Sequence, residues 1–245
     1  MHRFFVLPEQ IGGTVVLIGE DAKHAASVLR VRVGENIVIC DGQGMDYVCE
    51  VQGVTKSTVA AQVLEKQANT AEGRLKITVY QGLPKGDKFE QITQKTIELG
   101  AYAVVPVVCQ RSITKADNAA SKLARWRKIA EAAAKQSHRG IIPVISEFAT
   151  FAKAIEAAQR LDVAIACHVG EGLASLRSFL QGAGLSKAES IGLFIGPEGG
   201  FADEEIVAFA AAGIRPVSLG PSVLRTETAA VVAIANIQYE LSDEV

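Results

Sequence analysis

Short apolar runs and glycine-containing turns alternate along the first 67 residues of the chain. Runs of β-branched and apolar residues at this spacing predict strands. Five are predicted, at Arg3–Leu7, Thr14–Ile18, Asn36–Cys40, Tyr47–Val51 and Thr58–Leu64. Residues 21–29 have helical apolar spacing and an acidic start, so we expect one short helix there. Together these elements are typical of a small antiparallel β-barrel.

A polar stretch without apolar periodicity, Gln67–Arg74, separates this region from the rest of the chain. Domain boundaries usually fall in such polar linkers, where few contacts cross. We therefore expect a first domain over residues 1–70 and a second over residues 74–245.

From residue 75 onwards the predicted strands alternate with longer amphipathic helices, which is typical of an α/β fold with a largely parallel sheet flanked by helices. The predicted strands are Leu75–Tyr80, Tyr102–Val108, a short one near Val144, Val163–Cys167, Ile191–Ile195 and Pro216–Leu219. The predicted helices include Lys88–Leu99, Ala119–Gln136, Ala152–Gln159 and Thr226–Leu241. The last helix is apolar nearly all round, which predicts burial and a contact with a second copy of the chain.

The last two predicted strands both end in loops that contain glycine and proline, Gly196–Phe201 and Gly220–Arg225. Glycine allows a ligand to approach the backbone closely, and open α/β sheets bind ligands at the carboxyl ends of their strands. The loops therefore predict a cleft for a small cofactor, with ordinary turns as the alternative. Neither loop has the lysine of a phosphate-binding loop or the glycine spacing of a dinucleotide fingerprint.

Composition narrows the class of protein. With 245 residues, 49% of them hydrophobic and 21% charged, the chain is expected to fold around a sizeable core. It has no signal-peptide pattern and no run of about 18 apolar residues, so we expect a soluble cytoplasmic protein with no membrane partner. Its four cysteines lack zinc-ligand spacing, so no metal site is expected.

Charge is unevenly distributed along a chain whose net charge is −2. Residues 73–145 contain 13 Lys and Arg against 5 Asp and Glu, a net charge of +8. Such a basic region can bind phosphate groups of a nucleic acid, although solvated helix faces give the same pattern.

The two glycine loops extend into longer motifs, GPEGGF at Gly196–Phe201 and LGPSVLRTETA at Leu219–Ala229. These resemble the paired C-terminal motifs of the bacterial 16S ribosomal RNA uracil-N3 methyltransferases, a family of the knotted SPOUT class. Further similar segments are HAASVLR at His24–Arg30, KGDKFEQITQKTIELG at Lys85–Gly100 and RWRKIAEAAAKQSHR at Arg125–Arg139. The resemblance covers nearly the whole chain, in the same order.

The resemblance implies an α/β fold with a C-terminal SPOUT-type sheet that contains a trefoil knot and a smaller N-terminal PUA-like β-barrel that holds RNA. It implies an enzyme that uses S-adenosylmethionine to methylate N3 of a specific uridine in 16S ribosomal RNA, within the small ribosomal subunit, as a homodimer. Two alternatives stay open: a non-catalytic RNA- or ribosome-binding protein of the same fold, and an unrelated α/β enzyme that acts on a nucleotide.

The resemblance also implies site residues. Cofactor contacts are expected from the ends of three strands and the last helix: Cys167, His168, Val169, Gly170, Ile195, Gly196, Pro197, Glu198, Gly199, Gly200, Leu219, Gly220, Pro221, Ser222, Val223, Leu224 and Thr228. RNA contacts are expected at Arg3, His24, Arg30, Arg111, Gln136 and Arg139. The family commonly has Arg in place of Ser222 and a Glu-Gln pair in place of Lys135-Gln136.

Methylation of uridine at N3 requires loss of the N3 proton, which selects the catalytic candidates. Arg225 is expected to stabilise the resulting anion or to hold the RNA, because arginine stays protonated and cannot act as a base. Glu198 and Glu227 are the candidate bases. The alternatives are that Arg225 only neutralises these carboxylates and that Glu227 only stabilises the dipole of the last helix.

Overall fold

The computed structural model describes residues 1–113, 118–182 and 184–242. Within these ranges the chain forms two compact units. Residues 1–72 and 134–142 form the first unit, and residues 73–133 and those after 142 form the second. None of the described helices is long and apolar enough to cross a membrane.

The first unit contains a five-stranded sheet with the order β1-β3-β4-β5-β2. The strands are β1 (His2–Phe5), β2 (Thr14–Ile18), β3 (Asn36–Cys40), β4 (Met45–Val54) and β5 (Thr58–Ala68). Side chains alternate across β2, where Val15 and Leu17 are buried and their neighbours are exposed. These two residues join a core that includes Phe4, Ile37 and Val51.

The expected purely antiparallel arrangement is wrong at one strand pair. β1 pairs parallel to β3, with His2 opposite Ile37 and Phe5 opposite Cys40. The other pairs are antiparallel. A parallel pair needs a long crossover connection, and the chain between β1 and β3 provides one that contains β2 and the helical segment.

That helical segment begins as α1 (Gly19–Lys23) and continues as a π-helix over His24–Leu29. It ends at Arg30, whose φ of 55° is left-handed. The predicted single helix therefore exists, but it changes its hydrogen-bond spacing halfway along.

Residues 134–142 lie in the first unit although they are far from it in sequence. The guanidinium group of Arg139 pairs with Glu72 at 2.7 Å and is almost fully buried. Glu72 also accepts hydrogen bonds from the backbone N–H groups of Gly140 and Ile141, and Asn69 donates to the carbonyl of His138. These contacts fix the segment on the first unit.

The second unit contains a seven-stranded sheet whose main path is β12-β10-β11-β6-β7-β8, with β9 paired to β7. All of its strand pairs are parallel. In chain order its elements are β6 (Lys76–Gly82), α2 (Lys88–Glu98), β7 (Ala101–Val108), α3 (Ala119–Gln136, whose last turn lies in the first unit), β8 (Val144–Ile145), β9 (Ala149–Thr150), α4 (Phe151–Ala158), β10 (Val163–Cys167), α5 (Leu176–Gly182), β11 (Ser190–Ile195), α6 (Asp203–Ala211), β12 (Arg215–Val217) and α7 (Thr226–Leu241).

Aromatic side chains form much of the core between this sheet and its helices. The rings of Tyr80 and Phe194 stack at 4.5 Å, and Phe209 of α6 meets Phe194 edge-on at 4.9 Å. Phe201, from the loop after β11, packs edge-on against Phe209 at 5.0 Å. The loop that follows β11 is therefore anchored in the core at its far end.

Candidate active site

Four neighbouring parallel strands of the second unit end at the same level. Cys167 at the end of β10 lies in register with Ile195 of β11 and with Val217 of β12, and Ile195 lies in register with Gln81 of β6. Because the strands are parallel, the loops that follow them emerge side by side at one edge of the sheet.

These loops line a cavity of about 990 Å³. All of the expected cofactor residues on the three strand ends lie in its wall: Cys167, His168, Val169, Gly170, Ile195, Gly196, Pro197, Glu198, Gly199, Gly200, Leu219, Gly220, Pro221, Ser222, Val223 and Leu224. Thr228 is not in the wall, whereas its neighbours Thr226 and Ala229 are. Arg111, Lys88 and Arg225 supply cations to the same wall.

Close backbone contacts hold the loop after β11 in place. A Cβ atom on Gly82 would lie 2.5 Å from Cδ of Pro197, and one on Gly196 would lie 3.1 Å from Cα of Gly200. Gly200 donates its N–H to the carbonyl of Pro197 and has a φ of +66°, which glycine adopts without strain. The sequence GPEGG thus folds into a tight turn that touches the end of β6.

A buried polar network, which sequence reasoning missed, joins β6 to α7. Nε2 of Gln81, a fully buried residue, donates to Oγ1 of Thr226 at 2.9 Å. The Thr226 hydroxyl donates in turn to the carbonyl of Gly196 at 2.6 Å. Thr226 is the first residue of α7, so the network fixes the start of this helix against the cavity loops.

A second missed residue, Glu205 of α6, holds the loop after β7. Its buried carboxylate accepts hydrogen bonds from the backbone N–H groups of Ala202 and Gln110, both at 2.9 Å. The next residue, Arg111, donates from its guanidinium to the carbonyl of Gly199 at 3.1 Å. Glu205 therefore places an arginine beside the cavity. The acid three residues after Ala202 is a capping-box signal that could have indicated the first of these contacts.

The three catalytic candidates lie near one another at the starts of α2 and α7. The Lys88 ammonium is 2.8 Å from Oε1 of Glu198 and 3.7 Å from Oε2 of Glu227. Arg225 is the N-cap residue of α7 and lies in the cavity wall together with Glu198. Glu227 is not among the wall residues, and no described residue donates a hydrogen bond to its buried Oε2.

The surroundings of Glu198 determine its basicity. Burial by itself raises the pKa of Glu198. Hydrogen bonds from Lys88, from its own backbone N–H and from that of Lys85 outweigh burial and lower the pKa below its usual value. A carboxylate with a lowered pKa is a weaker base, so this environment disfavours Glu198 as a proton acceptor.

Two other titratable groups in the wall are neutral. Burial and the nearby Arg111 guanidinium lower the pKa of His168, against an opposing effect of Asp203. Burial raises the pKa of the Cys167 thiol to about 12. Cys167 is therefore a thiol rather than a thiolate nucleophile at neutral pH. The described residues contain no group of three His, Cys, Asp or Glu that could hold a metal ion.

The expected RNA-contacting residues divide into two arginines held in ion pairs within the first unit and four exposed residues. Arg3 makes a two-pronged pair with Asp46, with nitrogen–oxygen distances of 2.7 and 2.9 Å, and Arg139 pairs with Glu72. A contact of either guanidinium with RNA would require these pairs to open. His24, Arg30 and Gln136 are exposed on the first unit, and Arg111 lies at the cavity of the second.

Comparison with known proteins assigns both units to families. The RNA methyltransferase domain family matches residues 71–238, and the RNA methyltransferase PUA domain family matches residues 17–64. The chain is 34% identical to the ribosomal RNA small subunit methyltransferase E of Bacillus subtilis, over 98% of this chain and 97% of that one. It is 36% identical to the protein of the same name from Synechocystis, over 96% of this chain and 77% of that one.

Solved structures agree with this assignment. The ribosomal RNA small subunit methyltransferase E of Neisseria gonorrhoeae, bound to S-adenosyl methionine, superimposes with a TM-score of 0.87 at 31% identity and covers 100% of both chains. A methyltransferase of Legionella pneumophila in complex with the same cofactor gives a TM-score of 0.87 at 30% identity, over 99% of this chain and 98% of that one. The expected fold class, a SPOUT-type parallel sheet flanked by helices with a smaller PUA-like domain, is confirmed. This chain belongs to the bacterial family of small-subunit ribosomal RNA methyltransferases of the SPOUT class.

Proposed function

We propose that this protein transfers a methyl group from S-adenosylmethionine to N3 of one uridine in 16S ribosomal RNA, and that its substrate is the assembled small ribosomal subunit in the cytoplasm. One observation carries the proposal. Three loops at the carboxyl ends of β10, β11 and β12 enclose a single cavity, and Arg225 lies in its wall.

The cavity fits S-adenosylmethionine in size and chemistry. Its volume of about 990 Å³ lies at the upper end of the range for small-molecule sites, roughly 300–1,000 Å³. No atom lies within 4 Å of a Cβ placed on Gly200 or Gly220, so a ligand can approach the backbone there. Leu219, Leu224 and Ile195 supply apolar wall for an adenine ring. We assign the wall residues at the three strand ends to the cofactor, with Thr226 in place of Thr228.

S-adenosylmethionine, when bound, supplies a methyl group that is activated by its attachment to a sulfonium. The protein must orient the uracil base and stabilise the negative charge that the base acquires when its N3–H bond breaks. We assign the second role to Arg225, which is permanently protonated and lies in the wall. Glu227 is the better candidate base of the two carboxylates, because Glu198 is occupied by Lys88 and by the N–H of Lys85.

RNA contacts are assigned to two sets of side chains. Arg111 lies in the cavity wall and can neutralise a phosphate close to the target base. His24, Arg30 and Gln136 are exposed on the first unit, which contains the match to an RNA methyltransferase PUA domain. Positively charged and polar groups of this kind position an RNA backbone without reading its sequence.

We also propose that the protein works as a homodimer in which α7 contributes to the interface. Its sequence is apolar nearly all round, yet Tyr239 on this helix is 89% exposed. Sedimentation equilibrium should give a mass near twice the 25.9 kDa of the chain. A monomer mass at micromolar concentration would contradict this assignment.

The proposal is tested by transfer of labelled methyl groups from S-adenosylmethionine to small ribosomal subunits that lack the modification. Naked 16S RNA serves as the parallel substrate. We expect label in the RNA of the assembled subunit and little in naked RNA. Label in neither, with S-adenosylmethionine binding intact in calorimetry, would refute the proposed substrate and favour a non-catalytic RNA-binding role.

A further inference from the structure

Two helices of the second unit begin with a cation, at the end where the helix dipole disfavours positive charge. Lys88 is the first residue of α2, and Arg225 is the N-cap residue of α7. Both side chains lie in the cavity wall. A residue that opposes a local stability rule in this way is often retained for function rather than stability.

Lys88 is placed so that it joins two carboxylates from different segments. Its ammonium group lies 2.8 Å from Glu198, in the loop after β11, and 3.7 Å from Glu227, in the first turn of α7. Glu198 holds the start of α2 from a second direction, because its carboxylate accepts the backbone N–H of Lys85 at 3.1 and 3.3 Å. Arg225 also acts on Lys88, because its like charge lowers the pKa of the Lys88 ammonium.

We propose that Lys88 is a positioning residue for methyl transfer: by bridging Glu198 and Glu227 it fixes the start of α7, and with it Arg225, against the cavity. The inference rests on the proposed function and deepens it. The side chains of Lys88 and Glu198 are about a third exposed, and ion pairs that exposed contribute little to stability. The bridge therefore matters more for the position of Arg225 at the start of α7 than for the free energy of unfolding.

The bridge also separates the roles of the two carboxylates. The hydrogen bond from Lys88 is the strongest effect that lowers the pKa of Glu198, and the pKa of Lys88 is raised mainly by the same hydrogen bond. Without Lys88, the pKa of Glu198 should lie higher than in the wild type, because burial would be opposed only by the backbone N–H groups of Glu198 and Lys85.

The experiment compares Lys88→Met with Lys95→Met. Lys95 lies on the same helix, is 54% exposed and pairs with Glu98, so its substitution removes the same charge away from the cavity. We expect Lys88→Met to lower kcat about 100-fold, since a displacement of about 1 Å can cost that much, while the Kd for S-adenosylmethionine changes less than about threefold. Lys88→Arg should recover most of the loss, and Lys95→Met should keep the wild-type kcat.

A double substitution shows whether Lys88 acts through Glu198. If it does, Lys88→Met combined with Glu198→Gln should be no slower than Lys88→Met alone, because residues that act as a unit are not additive.

Two results would overturn the inference: a wild-type kcat for Lys88→Met, or strictly multiplicative effects in the combined variant. If Lys88→Met does not fold, Glu198→Gln decides, because it removes the carboxylate that Lys88 contacts at 2.8 Å and keeps Lys88. A wild-type kcat in that variant would also overturn the inference. Methyl transfer by the wild type is measured first. If the wild type transfers no methyl group, the proposed function fails. If it does, the variants test the role of Lys88 alone.

Discussion

Glu198 illustrates how the surroundings of one residue decide its chemistry. The sequence places it in GPEGGF and so beside the cofactor loops, where a carboxylate could act as a base. The structure places a lysine ammonium 2.8 Å away and adds the backbone N–H of Lys85. These contacts lower the pKa of Glu198 and assign it a structural role at the cavity rim, which leaves Glu227 and Arg225 as the groups to test for chemistry.

Substitution of Glu198 has a pH dependence with a defined sign. Its pKa in the folded protein lies below the ordinary value of 4.5, so its stabilising effect is complete above that value and is lost as the pH falls through the folded-state pKa. We expect Glu198→Gln to melt below the wild type at pH 7, with the difference closing below about pH 4.5. Melting curves at several pH values test this, and a constant difference would contradict it.

Arg225 is the residue on which the proposed chemistry depends most. Arg225→Ala should lower kcat by about 100-fold, the usual effect of removing one charge-stabilising donor, and change the Kd for S-adenosylmethionine less than about threefold. Arg160→Ala is the control, because Arg160 is 76% exposed and pairs with Glu156 on α4. Normal transfer by Arg225→Ala would show that the catalytic assignment is wrong.

At the scale of elements, the cavity depends on loops that are held by residues outside the motifs. The loop after β11 packs against the end of β6 through Gly82, and the loop after β7 is tied to α6 through Glu205. Neither Gly82 nor Glu205 is a wall residue. Substitutions behind the wall should therefore distort it as effectively as substitutions within it.

Gly82→Ala tests the contact with the loop after β11. The added Cβ would lie 2.5 Å from Cδ and 2.7 Å from the backbone nitrogen of Pro197, where neither strand nor loop can yield easily. Overpacking of this kind costs about 1–3 kcal/mol in unfolding free energy, and it should also weaken S-adenosylmethionine binding. Gly182→Ala is the control, since no atom lies within 4 Å of its added Cβ. Equal urea midpoints for both variants would contradict this packing.

Glu205→Ala tests the contact between α6 and the loop after β7. It leaves the N–H groups of Ala202 and Gln110 without their acceptor, and the loss at the buried N–H of Ala202 should cost about 1–3 kcal/mol. The neighbouring Glu204 is exposed on the same turn, so Glu204→Ala should cost only about 0.3–1 kcal/mol through the helix dipole. Chemical denaturation of the two variants measures the difference, and similar losses would rule out the bridging role of Glu205.

Across the whole molecule, sequence patterns predict those strands and loops that depend on residues close together in the chain. Val15 and Leu17 alternate with exposed residues and predict β2, and the loop at Gly196 follows an apolar run that is β11. The Gln81–Thr226 bond spans 145 residues and the Glu205–Gln110 bond spans 95, so no periodicity reveals them. For the same reason the sequence does not place residues 134–142 with the first unit, where Arg139 meets Glu72.

In the proposed reaction, the cavity of the second unit directs a methyl group to N3 of a uridine. The most direct test of this reaction is mass spectrometry of nucleosides from small-subunit RNA after incubation with S-adenosylmethionine and either the wild type or Arg225→Ala. We expect 3-methyluridine with the wild type and about 100-fold slower formation with the variant. A methyl group on a different atom or base, or equal rates for both proteins, would contradict the account.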